Sequence, residues 1–192
     1  MPQPGSPDTR PLGIPTMTDR ARQTVVQDAL DPEWEARFAP NSYGFRPGRS
    51  GHDAITAIRT AIGHKAKYVL DADSEKCVDR INQTALLAKV NPGPHLHRQL
   101  KTWLRAGAFD QGTWFPTETG TMQGSPLSPL WANIALHGLE THIRTRFPRS
   151  GRRGFQSPNV VVYAEDRVIL HEDHPIIQRC QDEGTTWLHT IG

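Results

Sequence analysis

Two groups of carboxylates carry most of the chemistry open to this sequence. Asp71, Asp73, Glu75 and Asp79 follow one another in KYVLDADSEKCVD, where a short apolar run ends. Glu165 and Asp166 stand side by side in VVVYAEDRVIL, between two runs of β-branched and aliphatic residues. Alternation along a strand places Asp71 and Asp73 on one face. Apolar runs with a brief polar interruption read as a hairpin with Glu165 and Asp166 at its tip. If that tip meets the first strand, three or four carboxylates converge, and such a cluster repels itself without a cation. Mg²⁺ suits it, because it takes hard oxygen ligands from few carboxylates plus substrate phosphates. Two such ions stabilise the attacking and leaving oxygens of phosphoryl transfer. Acids at strand ends are also commonly just solvated, so spacing alone leaves both readings open.

Other candidate chemistries are weaker. His95 with His97, and His171 with His174, match metal spacing only loosely; no H-E-x-x-H occurs. They read as surface or partly packed residues. Ser125 and Ser128 lack the G-x-S-x-G frame of a nucleophile elbow. The loop GTMQGSPLSP is glycine-rich, but no G-K-[ST] follows, so it is not a Walker loop. Cys77 and Cys180 form no C-x-x-C pair and suggest no disulfide framework.

The acids need elements to position them. Val25, Val26, Ala29 and Leu30 have helical spacing within residues 17–38, with a break and restart at Asp31-Pro32. The segment APNSYGFRPGRS is a loop, and Ser50 with Asp53 caps a following helix whose stripe is Ala54, Ile55, Ile58, Ala61 and Ile62. KYVLDAD reads as a short buried strand. A helical turn or two over 85–90 ends at Asn91-Pro92-Gly93. Leu96, Leu100, Trp103 and Leu104 mark another helix, and LWANIALHGLETHI one more. The hairpin and a final helix near 174–189 complete the chain. Helices and strands mix without strict βαβ alternation, which predicts an α+β fold.

The 192 residues suffice for one domain with a core. With 36% hydrophobic and 22% charged residues, the chain is neither disordered overall nor membranous. No apolar run nears the ~20 residues that span a bilayer. The start, MPQPGSPDTRP, lacks an apolar signal region, so residues 1–9 read as a flexible Pro-rich leader and the expected location is the cytoplasm. A net charge of +2 hints only weakly at a polyanionic partner. Arginine is locally dense in RTRFPRSGRR and at Arg46 and Arg49, which fits either a solvated basic surface or phosphate contacts.

Read together, RPLGIPT (Arg10–Thr16), SYGFRPGRS (Ser42–Ser50), KYVLDAD (Lys67–Asp73), GTMQGSPLSPLWANIALHGLE and VYAEDRVILHED occur in the order and spacing of a known family. From Arg10 onward the chain resembles the reverse transcriptase domain of bacterial group II intron-encoded proteins, the reverse transcriptase/maturases. The resemblance implies a right-hand polymerase with fingers and a split βαβ-type palm over residues 10–192, thumb absent. It implies RNA-directed DNA polymerisation with two Mg²⁺ ions held by Asp73, Glu165 and Asp166. The partners implied are an RNA template or intron RNA, a DNA primer and deoxynucleoside triphosphates, with no membrane. Tyr163 and Ala164 fill the first two places of the family's Tyr-Ala-Asp-Asp hairpin. Gln123 and Gly124 match the loop beside the incoming nucleotide, Arg10 lies in the fingers motif, and Arg46 and Arg49 would track the template backbone.

The departures from the family matter equally. Glu165 replaces Asp, moving a carboxylate out by about 1.5 Å, one C–C bond. Val78 stands where the family carries an aromatic that screens the sugar 2′ position. Glu75 adds a charge of the wrong sign beside the acids, and Met122 replaces a proline. The expectation is a truncated and impaired polymerase; the alternative is a non-catalytic RNA-binding remnant or an inactive relic.

Overall fold

The computed structural model describes residues 13–63, 65–74, 77–110, 112–122, 124–149 and 156–192. The chain opens with helix α1 (Met17–Glu35), capped by the Thr16 hydroxyl on the Asp19 backbone N–H. The expected break at Asp31-Pro32 does not occur. Pro32 lies in the last turn, where its missing N–H deprives one carbonyl of its bond, and burial of Leu30 and Trp34 keeps that turn wound. Helix α2 (Gly51–Ile62) starts at Ser50 with the predicted capping box to Asp53.

Three strands make the main sheet: β1 (Tyr68–Asp73), β4 (Asn159–Tyr163) and β5 (Asp166–His171), in the order β1-β5-β4 and antiparallel throughout. One sheet face carries Leu70, Val160, Val162 and Ile169. It packs on α7 (Leu139–Arg146) and α8 (His174–Leu188), through Ile143, Phe147, Ile177 and Cys180. Burial pushes the Cys180 thiol up to about 11, so this sulfur is inert packing. The other face carries Asp71, Asp73, Val161, Tyr163, Asp166 and Val168, and α2 packs on it, mainly over β4 and less over β5, with Ala54 against Val161 and Tyr43. KYVLDAD therefore forms an edge strand with its acids in water, not the buried strand predicted; among the described residues the sheet ends there.

A second core joins α1, α4 (Gln83–Val90), α5 (Pro94–Leu104) and α6 (Ser128–Leu136) around Leu86, Leu100, Leu127, Trp131 and Ile134. The single helix expected over 130–143 is two. Gly138 breaks it at φ 103°, a conformation open to glycine and costly to most other residues. The short helix α3 (Cys77–Arg80) and the hairpin β2 (Ala108–Asp110) and β3 (Thr113–Phe115) were not anticipated. Among the described residues no helix is long and apolar enough to cross a membrane.

Lys89 ties the two cores. From the last turn of α4 its Nζ donates to the carbonyls of Ala135 (2.8 Å) and His137 and lies over the Trp187 ring. A cation is well placed at the C-terminal end of α6, yet burial pushes the Lys89 ammonium down from 10.5 to about 8. A depressed base in the folded state means that, between those values, the unfolded chain holds a proton the native chain lacks. Stability therefore climbs with pH through that window. We expect Lys89→Met to flatten the climb; equal slopes of denaturation midpoint against pH in the two proteins would refute it.

Candidate active site

The hairpin tip is the centre of the site. Tyr163 pairs with Asp166, so β4 and β5 are joined by a two-residue loop, Ala164-Glu165. Ala164 has φ 54°, the positive value at the first loop position that matches the twist of flanking strands. Asp166 is in turn the register partner of Asp73, and Asp71 lies one same-face pair further along, opposite Val168. Directly opposed residues have Cβ atoms ~4.5–5.5 Å apart, and like charges so placed destabilise the pair. Both carboxylates face solvent, and among the described residues neither has an ion-pair or hydrogen-bond partner. Glu165 sits in the turn, outside the strand alternation. Among the described residues no three acids draw together into a ligand set. The expected convergence is thus two aspartates across one register pair, with Glu165 at their edge. Glu75 lies outside the described residues.

Three residues that the sequence did not single out hold the tip. Arg167, next along β5, points to the opposite, buried face, and its Nη2 donates to the Glu165 carbonyl (3.1 Å). Gly44 packs against the loop: a Cβ there would overlap the Ala164 nitrogen and lie 2.9 Å from its Cα. Asn133, buried on α6, donates from Nδ2 to the Gly44 carbonyl (2.9 Å). Residues 41–43 add to the free edge of β4: Val162 N–H donates to Asn41 O and Tyr43 N–H to Val162 O, each at 2.9 Å. The signals were faint. They were an arginine inside an apolar strand, an asparagine inside an apolar helix, and one of two glycines in a loop.

The other predicted residues are placed as follows. The Arg46 side chain is only 2% exposed. Its Nε and Nη2 donate to the two oxygens of Glu35, and Nη1 donates to the carbonyls of Ala39 and Ser42, both at 2.7 Å. Those hydrogen bonds hold the Glu35 carboxyl below its usual range. Arg46 therefore braces the loop before α2, with its fork engaged by Glu35 and two backbone carbonyls. Arg49 is more open; it donates to Pro40 O (2.6 Å), lies 3.7 Å from Glu35 and covers the Tyr43 ring. Gly124 N–H donates to Gly13 O (3.0 Å), and a Cβ at Gly124 would overlap that oxygen, so the RPLGIPT and GTMQGSP motifs meet backbone to backbone. Val78 is half-buried in α3 and its carbonyl accepts from Thr121 N–H (2.9 Å). Arg10 and Gln123 lie outside the described residues.

An antiparallel sheet that sets two aspartates face to face beside a tight hairpin, with a helical layer behind and a loop-braced helix at one side, is the fingers-and-palm arrangement of a right-hand polymerase. Two solved telomerases share the fold. That of Candida albicans, in complex with a fragment of telomeric RNA, has a TM-score of 0.57 at 14% identity over 91% of this chain and 32% of its own. The apo enzyme of Candida tropicalis has 0.52 at 13%, over 86% and 36%. Residues 1–192 match the family described as reverse transcriptase (RNA-dependent DNA polymerase), and the chain belongs to that family. Among curated relatives, the group II intron-encoded protein LtrA of Lactococcus lactis is 36% identical over 70% of this chain and 23% of its own length. Protein YkfC of Escherichia coli is 32% identical over 72% of this chain and 38% of its own. The chain thus spans less than two-fifths of either relative.

Proposed function

We propose that this chain is the fingers-and-palm part of an RNA-directed DNA polymerase of the group II intron-encoded kind. The observation that carries the reading is the pairing of Asp73 with Asp166 beside the Ala164-Glu165 turn, in a chain matched along its whole length by the reverse transcriptase family. The residues present fit Mg²⁺. Two hard oxygen donors oppose each other in water with their charges uncompensated among the described residues, and one or two carboxylates plus substrate phosphates are what Mg²⁺ takes. Asp73 and Asp166 would hold the metal, with Glu165 as the third donor of a two-ion site. When bound, such ions stabilise charge on the attacking and leaving oxygens of an in-line displacement. The protein's own part is to position: the primer 3′-hydroxyl is held for attack on the α-phosphorus of a deoxynucleoside triphosphate, and pyrophosphate leaves. Glycine at 124 keeps the neighbouring loop seated on the RPLGIPT segment, close to where the nucleotide would lie.

Glu165 favours a second reading, a chain that holds RNA without polymerising. One added methylene displaces the third carboxylate, Mg²⁺ demands near-octahedral geometry, and ~1 Å of misplacement can cost ~10² in rate. We expect Glu165→Asp to raise Mg²⁺-dependent primer extension on an RNA template by about 10-fold or more. Equal rates for the two proteins would sink the geometric argument.

A further inference from the structure

Three consecutive residues in the loop before α2 are buried against the order of their chemistry. Gly44 is jammed on Ala164 at the hairpin tip. Arg46 is almost fully buried. Phe45 between them is 57% exposed. The hydrophobic effect alone would bury the phenyl ring and leave the guanidinium in water. Phe45 also holds φ 56°, a left-handed conformation that is an outlier for a bulky side chain. Such strain persists only where the surroundings over-determine it, and here both neighbours are locked: Asn133 grips the Gly44 carbonyl, and Glu35, Ala39 and Ser42 grip Arg46. The loop is built to push this ring outward beside the hairpin that bears Asp166. A second exposed ring, Tyr163, stands on the same sheet face as the aspartates, near Gly51 at the start of α2.

We propose that Phe45 is a stacking platform for an unpaired base of the single-stranded template where that strand reaches the hairpin, with Arg46 as the positioning residue that holds the ring out. This rests on the polymerase reading above. Stacking suits the role, because every base has a π-face and an aromatic ring engages it without regard to sequence. The bracing also separates two functions that share one loop. Arg46 spends its donors inside the protein, and the strand meets a ring with few internal degrees of freedom.

Glycine makes the test sharp, since it adopts positive φ freely. Phe45→Gly should keep or raise the thermal midpoint and lower affinity for a single-stranded RNA oligonucleotide about 10-fold, while Phe45→Tyr keeps both. An RNA series with one abasic nucleotide at successive positions adds the specific readout. In the unaltered chain one position should matter by a similar factor, and in Phe45→Gly that position should become indifferent. If the unaltered chain binds RNA and Phe45→Gly binds it equally tightly, the ring faces a protein surface instead and the assignment falls alone. If the unaltered chain binds no RNA, the polymerase reading falls and takes the assignment with it.

Discussion

Replacing Asp73 with Asn is expected to lower RNA-templated primer extension by at least about 10²-fold, the loss seen when one preorganised electrostatic contact is removed from a transition state. The same change should leave the thermal midpoint unchanged or slightly higher. Asp73 opposes Asp166 across the β1–β5 register, and relieving like charges directly opposite each other contributes up to about 1 kcal/mol. Asn fits the same space, so the two effects must separate if the pair exists for chemistry. A merely solvated strand end would give no change in extension. A structural role would lower stability and activity together. Asp71 supplies the internal control. It shares the face but lies opposite Val168, so Asp71→Asn should cost far less activity than Asp73→Asn.

Gly44→Ala is expected to destabilise the fold by about 3 kcal/mol, the upper end of what forcing extra volume into a packed contact typically costs. The added Cβ would overlap the nitrogen of Ala164 and lie 2.9 Å from its Cβ. Neither side can yield cheaply. The loop is tied by Tyr43 to Val162 and by Asn133 to Gly44 itself, and the turn is tied by Arg167 to Glu165. Where the protein still folds, the Ala164-Glu165 loop must shift, and ~1 Å at the reacting centre can cost ~10² in rate. Gly48→Ala is the comparison. That glycine has φ 69°, and a Cβ added there would meet nothing within 4 Å, so its cost is conformational alone, about 1–2 kcal/mol. Chemical denaturation of both variants reads the difference directly. Comparable losses for the two would contradict the wedge between loop and turn.

What the sequence revealed, and what it hid, follows from the range of the forces involved. Local signals read true. The Ser50–Asp53 capping box, the helix end at Asn91 and the Tyr163–Asp166 hairpin each depend on residues a few positions apart. Alternation put Asp71 and Asp73 on one face, and the register agrees with that placement. Pairing across long separations was not legible. Nothing local says that Asp73 opposes Asp166, that β1 is a sheet edge, or that Asn133 reaches Gly44. The surroundings of Arg46 were hidden for a related reason. An arginine in a Gly/Pro loop looks like a free cation, and only the path of the chain brings Glu35 and two carbonyls around it. Composition could not show that Gly138 ends one helix and begins another, because an isolated glycine inside a helical pattern is tolerated at a modest cost.

Whether the Asp73–Asp166 pair serves nucleotide addition directed by RNA is decided by single-nucleotide primer extension on an RNA template. The unaltered chain and Glu165→Asp are compared in Mg²⁺ and in chelator. The expected result is addition of the deoxynucleotide complementary to the template, loss of addition in chelator, and faster addition by Glu165→Asp. RNA binding with no addition by either protein at saturating Mg²⁺ would contradict that role and leave a chain that holds RNA without copying it.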